Sequence, residues 1–130
     1  MCARNELPVV QKTYELLLWM APTIQRMPRS HRFVLGERLE SSLYRLLEDL
    51  VRARFAKPAA RAELLADADA TLHLLRFQVR LAHDLRLLDT RRYELAARRC
   101  AELGAMVGGW RKAGERRRDE AEGRAVPPGL

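Results

Sequence analysis

Arginine is the residue type with the clearest chemical potential in this chain. Its planar guanidinium group forms paired hydrogen bonds with phosphate better than an ammonium group does. The arginines are concentrated in residues 19–39 and along the apolar flanks of two later segments. We select seven of them as candidate contacts to phosphate or to a partner protein: Arg29, Arg32, Arg38, Arg76, Arg80, Arg91 and Arg92.

The spacing of the basic residues follows a helical period. His73, Arg76, Arg80 and His83 are three or four residues apart, and each comes one residue after an apolar position. Such residues line the flank of a buried seam. For any single arginine, a solvated helix face with intrahelical partners is the simpler interpretation. The whole set also predicts a surface that faces phosphate.

The overall charge favours a polyanionic partner. The chain has 130 residues, with 24 Lys+Arg against 17 Asp+Glu, a net charge of +7 and a pI near 10.2. A basic balance of this size is typical of nucleic-acid-binding domains, although acidic proteins and anionic lipid are also possible partners. The aromatic residues fall on or beside apolar stripes, which predicts core or interface packing rather than base stacking: Phe33, Tyr44, Phe55, Phe77 and Tyr93. Contact with backbone phosphate is therefore the favoured mechanism.

Enzymatic chemistry has little support. His31, His73 and His83 could be combined with nearby aspartates, but the sequence lacks a Glu-x-x-His pair, a Gly-rich phosphate loop and a nucleophile elbow. Two cysteines cannot form a zinc site, and Cys100 lies on an apolar stripe, where it is interpreted as core packing. We expect no enzymatic activity, no metal and no cofactor.

Four amphipathic helices are predicted, joined by short connections. Pro22 should kink the first, and Pro28 should end it, with Ser30 as the N-cap of the second. Short connections place consecutive helices antiparallel, which gives an all-α, up-down-up-down four-helix bundle. The predicted helices span about residues 9–27, 31–56, 59–88 and 89–112.

The predicted bundle occupies residues 1–113, and residues 114–130 are predicted to be a charged, disordered tail. Gly104, Gly108 and Gly109 weaken the last helix, and close approach of a neighbouring helix is one possible reason for them. The longest apolar run, residues 16–22, is too short to span a bilayer. The N-terminus has no signal-peptide pattern. We therefore expect a cytoplasmic protein without membrane contact.

Two blocks of sequence resemble a known family of four-helix bundles. They are WMAPTIQRMPRSHRFVLGERLE and FQVRLAHDLRLLDTRRYELAARRCAELGAMVGGWRK. The resemblance is to the accessory variability determinant (Avd) of diversity-generating retroelements, and to bundle proteins encoded by intervening sequences in bacterial 23S rRNA genes. It covers about residues 8–113. The matching features are Trp19, Pro22, the Pro28-Arg29-Ser30 corner, Phe33, Gly36, Arg38, Arg80, the Asp84–Leu88 turn, Tyr93, Glu102 and Gly108-Gly109-Trp110.

The resemblance implies a homopentameric, barrel-like assembly with a positively charged surface. It also implies binding to the retroelement reverse transcriptase and to RNA or DNA, as a helper of mutagenic retrohoming. On that basis the seven arginines would hold template RNA or cDNA near the polymerase. The alternative is a protein-interaction module of the 23S rRNA intervening-sequence type, in which the arginines pair with carboxylates such as Glu40, Glu48 or Asp84 between subunits.

Overall fold

The computed structural model describes residues 6–125, and every regular element in that range is helical. Irregular connections of three, two and five residues, at 26–28, 56–57 and 85–89, separate the helical elements. The elements in chain order are α1 (Glu6–Gln25), a one-turn helix α2 (Arg29–His31), a π-helical turn (Arg32–Gly36), α3 (Glu37–Phe55), α4 (Pro58–Asp84) and α5 (Thr90–Ala125).

The four long helices pack as a closed ring. α1 contacts α3, α3 contacts α4, α4 contacts α5, and α5 returns to α1 through a sparser interface. Since the connections are short, consecutive helices run antiparallel. The predicted all-α class and four-helix arrangement are confirmed.

Much of the core follows a helical spacing of apolar residues. Leu39, Leu43, Leu46 and Leu50 on α3 have the 4-3-4 spacing of a heptad pattern, and all four are fully buried. Apolar residues at steps of three or four on the other helices are also buried: Leu16, Met20, Ile24, Leu65, Ala68, Leu72, Leu75, Val79, Ala82, Ala96, Cys100, Leu103, Val107 and Trp110. Steps of three and four residues between apolar positions therefore define most of each buried face.

The corner between α1 and α3 differs from the prediction. α1 continues past Pro22 to Gln25, and Pro28 is the N-cap residue of α2, where no side chain accepts a capping hydrogen bond. Ser30 is therefore not an N-cap, because it lies inside the helix that it was expected to start. The carbonyl oxygen of Pro28 instead accepts hydrogen bonds from the backbone N–H groups of His31 and Arg32, at 2.9 and 2.8 Å.

A π-helical turn joins α2 to α3, and the spacing of apolar residues in the sequence does not indicate it. Within it Leu35 and Gly36 are buried, whereas Phe33 and Val34 are 57% and 60% exposed. A Cβ atom added at Gly36 would lie 3.1 Å from Cγ2 of Ile24. The π-helical turn therefore packs closely against the end of α1.

The predicted third helix is α4, and it ends at Asp84, four residues earlier than predicted. Arg86 adopts a left-handed conformation with φ of 62°. The N–H of Arg86 donates to the carbonyl of His83 at 2.9 Å, and that of Leu87 donates to the carbonyl of Ala82 at 2.8 Å. These bonds form a Schellman motif, which terminates helices and which usually has glycine at the left-handed position.

The last helix extends beyond its predicted end, and residues 114–125, predicted to be disordered, are helical. This segment is rich in Arg, Glu and Ala, which are strong helix formers even without an apolar face. Residues 126–130 of the predicted tail lie outside the described residues, and the domain boundary at 113 stays a prediction.

Gly104, Gly108 and Gly109 of α5 do not contact another helix in the described part of the chain. A Cβ atom at Gly104, Gly108 or Gly109 would meet nothing within 4 Å. The close approach considered from the sequence is thus not present within the bundle.

Candidate functional site

The predicted arginines lie on the surface of the bundle. Six of the seven are exposed, and Arg32 is half-buried. Within residues 6–125, two of them form ion pairs: Arg92 with Asp89 at 2.9 Å and Arg80 with Asp84 at 3.9 Å. Within the described residues, five of the seven therefore have no carboxylate partner.

Four of the seven arginines lie at the end of the bundle where α1 finishes and α5 begins. There the guanidinium carbons of Arg29 and Arg32 lie 5.7 and 5.0 Å from the ring centroid of Phe33. Contacts of this kind hold a guanidinium group in place by attraction to the negative face of the ring. Arg91 and Arg92 come from the first turn of α5 at the same end.

A cleft of about 320 Å³ lies at this end, between the last turn of α1 and the connection from α4 to α5. Arg26, Arg86 and Arg92 line it, together with Asp89. The side chain of Asp89 accepts a 2.8 Å hydrogen bond from the backbone N–H of Arg92, so Asp89 is the N-cap of α5. This backbone hydrogen bond holds the pKa of Asp89 below its ordinary value.

Arg76 and Arg80 line a second cavity of about 370 Å³, in the groove between α4 and α5. His73, Phe77 and Tyr93 share its lining. The ring of Tyr93 stacks on that of His83, with centroids 4.5 Å apart, which fixes one wall of the groove. This groove therefore combines cationic and aromatic side chains.

Of the five aromatic residues predicted to pack in the core or at an interface, Tyr93 is partly buried against the core, whereas the other four are exposed. Phe33, Phe77 and Phe55 are 57%, 69% and 76% exposed, and Tyr44 is 51% exposed. They fall beside the apolar stripe rather than on it, so each points outward. Packing at an interface with another molecule stays a prediction for them.

Arg38 lines neither of these two cavities. It lies in the first turn of α3, and Arg45 and Arg52 follow it at intervals of seven residues. All three are exposed and lie on the same side of α3. The seven residues thus do not line a single cavity.

Other arginines stabilise the fold at the opposite end of the bundle. Nε of Arg61 donates to the carbonyl oxygen of Ala53 at 2.8 Å, and Nη2 donates to that of Ala56 at 3.0 Å. Nη1 of Arg111 lies 3.1 Å from a carboxylate oxygen of Asp69 on α4. The contacts of Arg61 supply hydrogen-bond donors to carbonyl groups at the end of α3, and that of Arg111 joins α4 to α5. Both arginines therefore have a structural role.

The titratable residues do not converge on a metal position. Nε2 of His73 lies 3.6 Å from Asp69, and Nδ1 of His83 lies 3.8 Å from Asp84. Within residues 6–125, no three His, Cys, Asp or Glu side chains are close enough together to hold an ion. Burial raises the pKa of the Cys100 thiol to about 11, which makes it a poor nucleophile at neutral pH. No helix in the described range has the length and apolarity to cross a bilayer.

Two arginines of the end cleft were not selected from the sequence. Arg26 belongs to the expected corner, but its position gave no reason to prefer it to its neighbours. The apolar period placed Arg86 inside a helix, because this turn lacks the glycine that usually marks a Schellman motif. The family resemblance, in contrast, marked Asp84–Leu88 as a turn.

The fold and the exposed arginines define a helical bundle with a basic surface. A protein-family model described as bAvd-like matches residues 7–113, which include all four long helices up to the middle of α5. The chain belongs to the bAvd-like family. A comparison with curated protein sequences finds no match.

Proposed function

We propose that this protein is a non-enzymatic accessory subunit of a diversity-generating retroelement. It binds the reverse transcriptase and nucleic acid, template RNA or cDNA, through its basic surface and so supports mutagenic retrohoming. Membership of the bAvd-like family supports the retroelement role. The observation that carries nucleic-acid binding is the exposure of six predicted arginines, four of which have no ion pair within the described residues.

Two regions of this surface suit a phosphate backbone. One is the bundle end that carries Arg29, Arg32 and Arg91, and the other is the groove that contains Arg76 and Arg80. Tyr93, at the start of α5, lines the groove close to that end. A strand following the groove would meet guanidinium groups along its length and release counterions at each phosphate.

Self-association is supported by two apolar surfaces on different sides of the bundle. The α1–α3 patch consists of Tyr14 and Leu18 on α1 and Tyr44, Val51 and Phe55 on α3, which are 39–76% exposed. The α4 stripe consists of Leu74, Leu81 and Leu85, which are 43–50% exposed.

The hydrogen bond from Ser42 to Gln78 shows which sides of α3 and α4 face each other. Successive residues of a helix are rotated by about 100° around its axis. Tyr44, Val51 and Phe55 therefore lie on the face of α3 opposite Ser42, whereas the α4 stripe lies on nearly the same face as Gln78. Two different surfaces that meet between subunits make a head-to-tail contact, which forms a ring when the rotation between subunits closes. This arrangement supports the homopentamer that the family resemblance implies, although the number five rests on the resemblance alone.

A second candidate is the interaction module of the 23S rRNA intervening-sequence type, without a direct nucleic-acid role. The same two apolar surfaces favour it, because contiguous exposed apolar area marks protein interfaces. In that case the arginines beside the α4 stripe would pair with carboxylates of a neighbouring subunit.

Charge reversal separates the two candidates. We would compare the double variant Arg76→Glu, Arg80→Glu with the control Arg45→Glu, Arg52→Glu, which changes the net charge equally on α3. Mass is measured by light scattering, and binding by gel shift with RNA and DNA and by capture of the reverse transcriptase.

The accessory-subunit proposal expects at least tenfold weaker nucleic-acid binding in the first variant, with its mass unchanged, and a smaller loss in the control. Dissociation of the first variant into monomers that keep their nucleic-acid binding would favour the interaction module instead.

A further inference from the structure

The end cleft brings together arginines from three separate parts of the chain. Arg26, Arg86 and Arg92 line it from the end of α1, the α4–α5 connection and the first turn of α5. The groove that contains Arg76 and Arg80 runs along two helices and suits an extended strand, whereas a cleft of about 320 Å³ at the end of the bundle suits a single group that enters it. Thr23, Met27, Pro28 and Leu87 complete its lining.

The charge of the cleft matches a dianion. Three arginines and one aspartate, Asp89, line the cleft, which leaves a net charge of two positive units. Asp89 is committed to Arg92, through a 2.9 Å ion pair, and to the α5 backbone through its cap. Each guanidinium group has five donors, so Arg92 keeps donors for a ligand in spite of this pair.

The position of Arg86 is costly to the fold. An L-residue at φ of 62° is disfavoured by about 1 kcal/mol or more, and the Schellman motif here would accept glycine without that cost. The motif holds Arg86 by two backbone hydrogen bonds next to the cleft, so its guanidinium group is presented from a rigid turn. An arginine that lines a cleft with two others, in a backbone conformation that lowers stability, is typical of a residue that functions in binding.

We infer that the end cleft binds the terminal phosphate of a nucleic-acid strand. A terminal phosphomonoester carries about −1.5 to −2 charges at neutral pH, whereas a backbone phosphodiester carries one. A strand end also enters a closed cleft without the bend that an internal phosphate needs. The inference rests on the proposed function and assigns Arg26 and Arg86 to it.

The test uses the full chain and three versions of one oligonucleotide: with a 5′-phosphate, with a 3′-phosphate, and with hydroxyl groups at both ends. We expect about tenfold tighter binding of a phosphorylated end, the gain expected from charge-assisted hydrogen bonds. An advantage for only one of the two ends supports the inference and identifies which end is bound.

The informative variant is Arg86→Gly, since glycine removes both the charge and the unfavourable backbone conformation. We expect this variant to melt at a higher temperature and to lose the preference for phosphorylated ends. The matched control is Arg98→Gln, an exposed arginine of α5 that neither lines the cleft nor belongs to the proposed nucleic-acid contacts. It should keep the preference.

Equal binding of all three oligonucleotides by the unmodified protein would overturn this inference and leave the proposed function standing. A preference that survives in Arg86→Gly would overturn it also. Failure to bind any of the three would instead count against the proposed function itself.

Discussion

The side-chain hydroxyl of Ser42 on α3 donates a 2.8 Å hydrogen bond to Oε1 of Gln78 on α4. Ser42 is 6% exposed and lies beside the fully buried Leu43. The pair is the polar contact in a largely apolar interface, and it fixes how far one helix slides along the other. Its partners are 36 residues apart in sequence, so it closes the α3–α4 hairpin.

Removal of this hydroxyl should weaken the bundle. We expect Ser42→Ala to lower the free energy of unfolding by about 1 kcal/mol, because the amide of Gln78 loses its partner in a partly buried place. Urea denaturation followed by circular dichroism measures the change. Ser41→Ala, at an exposed neighbouring position, is the control and should change stability little.

Alanine substitution of two glycines should have opposite effects. At Gly36 a Cβ atom would lie 3.1 Å from the buried Ile24, so we expect Gly36→Ala to cost about 1 kcal/mol despite its better helix propensity. At Gly109 a Cβ atom meets nothing within 4 Å, so Gly109→Ala should add about 0.5 to 1 kcal/mol. Thermal unfolding of both variants tests the pair. A loss of stability in Gly109→Ala, with a fall in oligomer mass, would place that glycine in a subunit contact.

The buried thiol should be inert in the native protein. Cys100 is 1% exposed, and its pKa of about 11 keeps it protonated at neutral pH. In a Cys2→Ser variant, we expect reaction with a disulfide reagent only after denaturant is added. Fast reaction without denaturant would show that α5 opens locally at this position.

The same thiol gives a dependence of stability on pH. Because the folded state raises the pKa above the unfolded value near 9, the unfolded state releases the proton first. The contribution of Cys100 is therefore complete below pH 9 and is lost as the pH rises toward 11. Cys100→Ala should show a smaller loss of melting temperature across that interval than the unmodified chain.

The salt dependence of nucleic-acid binding should report the number of phosphate contacts. For duplex DNA, each contact contributes about 0.9 to the slope of log affinity against log salt, and for a single strand about 0.7. We expect Arg76→Ala with Arg80→Ala to reduce the slope by roughly 1.4 to 1.8, since two contacts are lost. Filter binding at several ionic strengths gives the slope, and an affinity that ignores salt would contradict phosphate contact.

The helices and the core could be predicted because each residue in them follows one period. Leu39, Leu43 and Leu46 face the core on any straight helix with that spacing, whatever else surrounds it. The breaks in the period could not be predicted in the same way. The π-helical turn at Arg32–Gly36 and the early end of α4 depend on tertiary contacts, such as that of Gly36 with Ile24.

The basic character of the candidate site could be predicted from the composition, but its position in the fold could be predicted less well. The excess of arginine predicted a basic surface, and its members are exposed. However, the cleft formed by Arg26 and Arg86 joins residues 60 positions apart, at two irregular connections. Connections lack the periodicity from which side-chain direction can be read.

The π-helical turn makes the corner sensitive to chain length. Such a turn holds one residue more than a regular helical turn, so it accommodates a single-residue insertion without unwinding the helix. Deletion of Val34 would restore the ordinary repeat and rotate everything before it by about 100° relative to α3. Arg29 and Arg32 would then face another direction, although no charged residue had been changed. In this corner, the number of residues determines the electrostatic surface as much as their identity does.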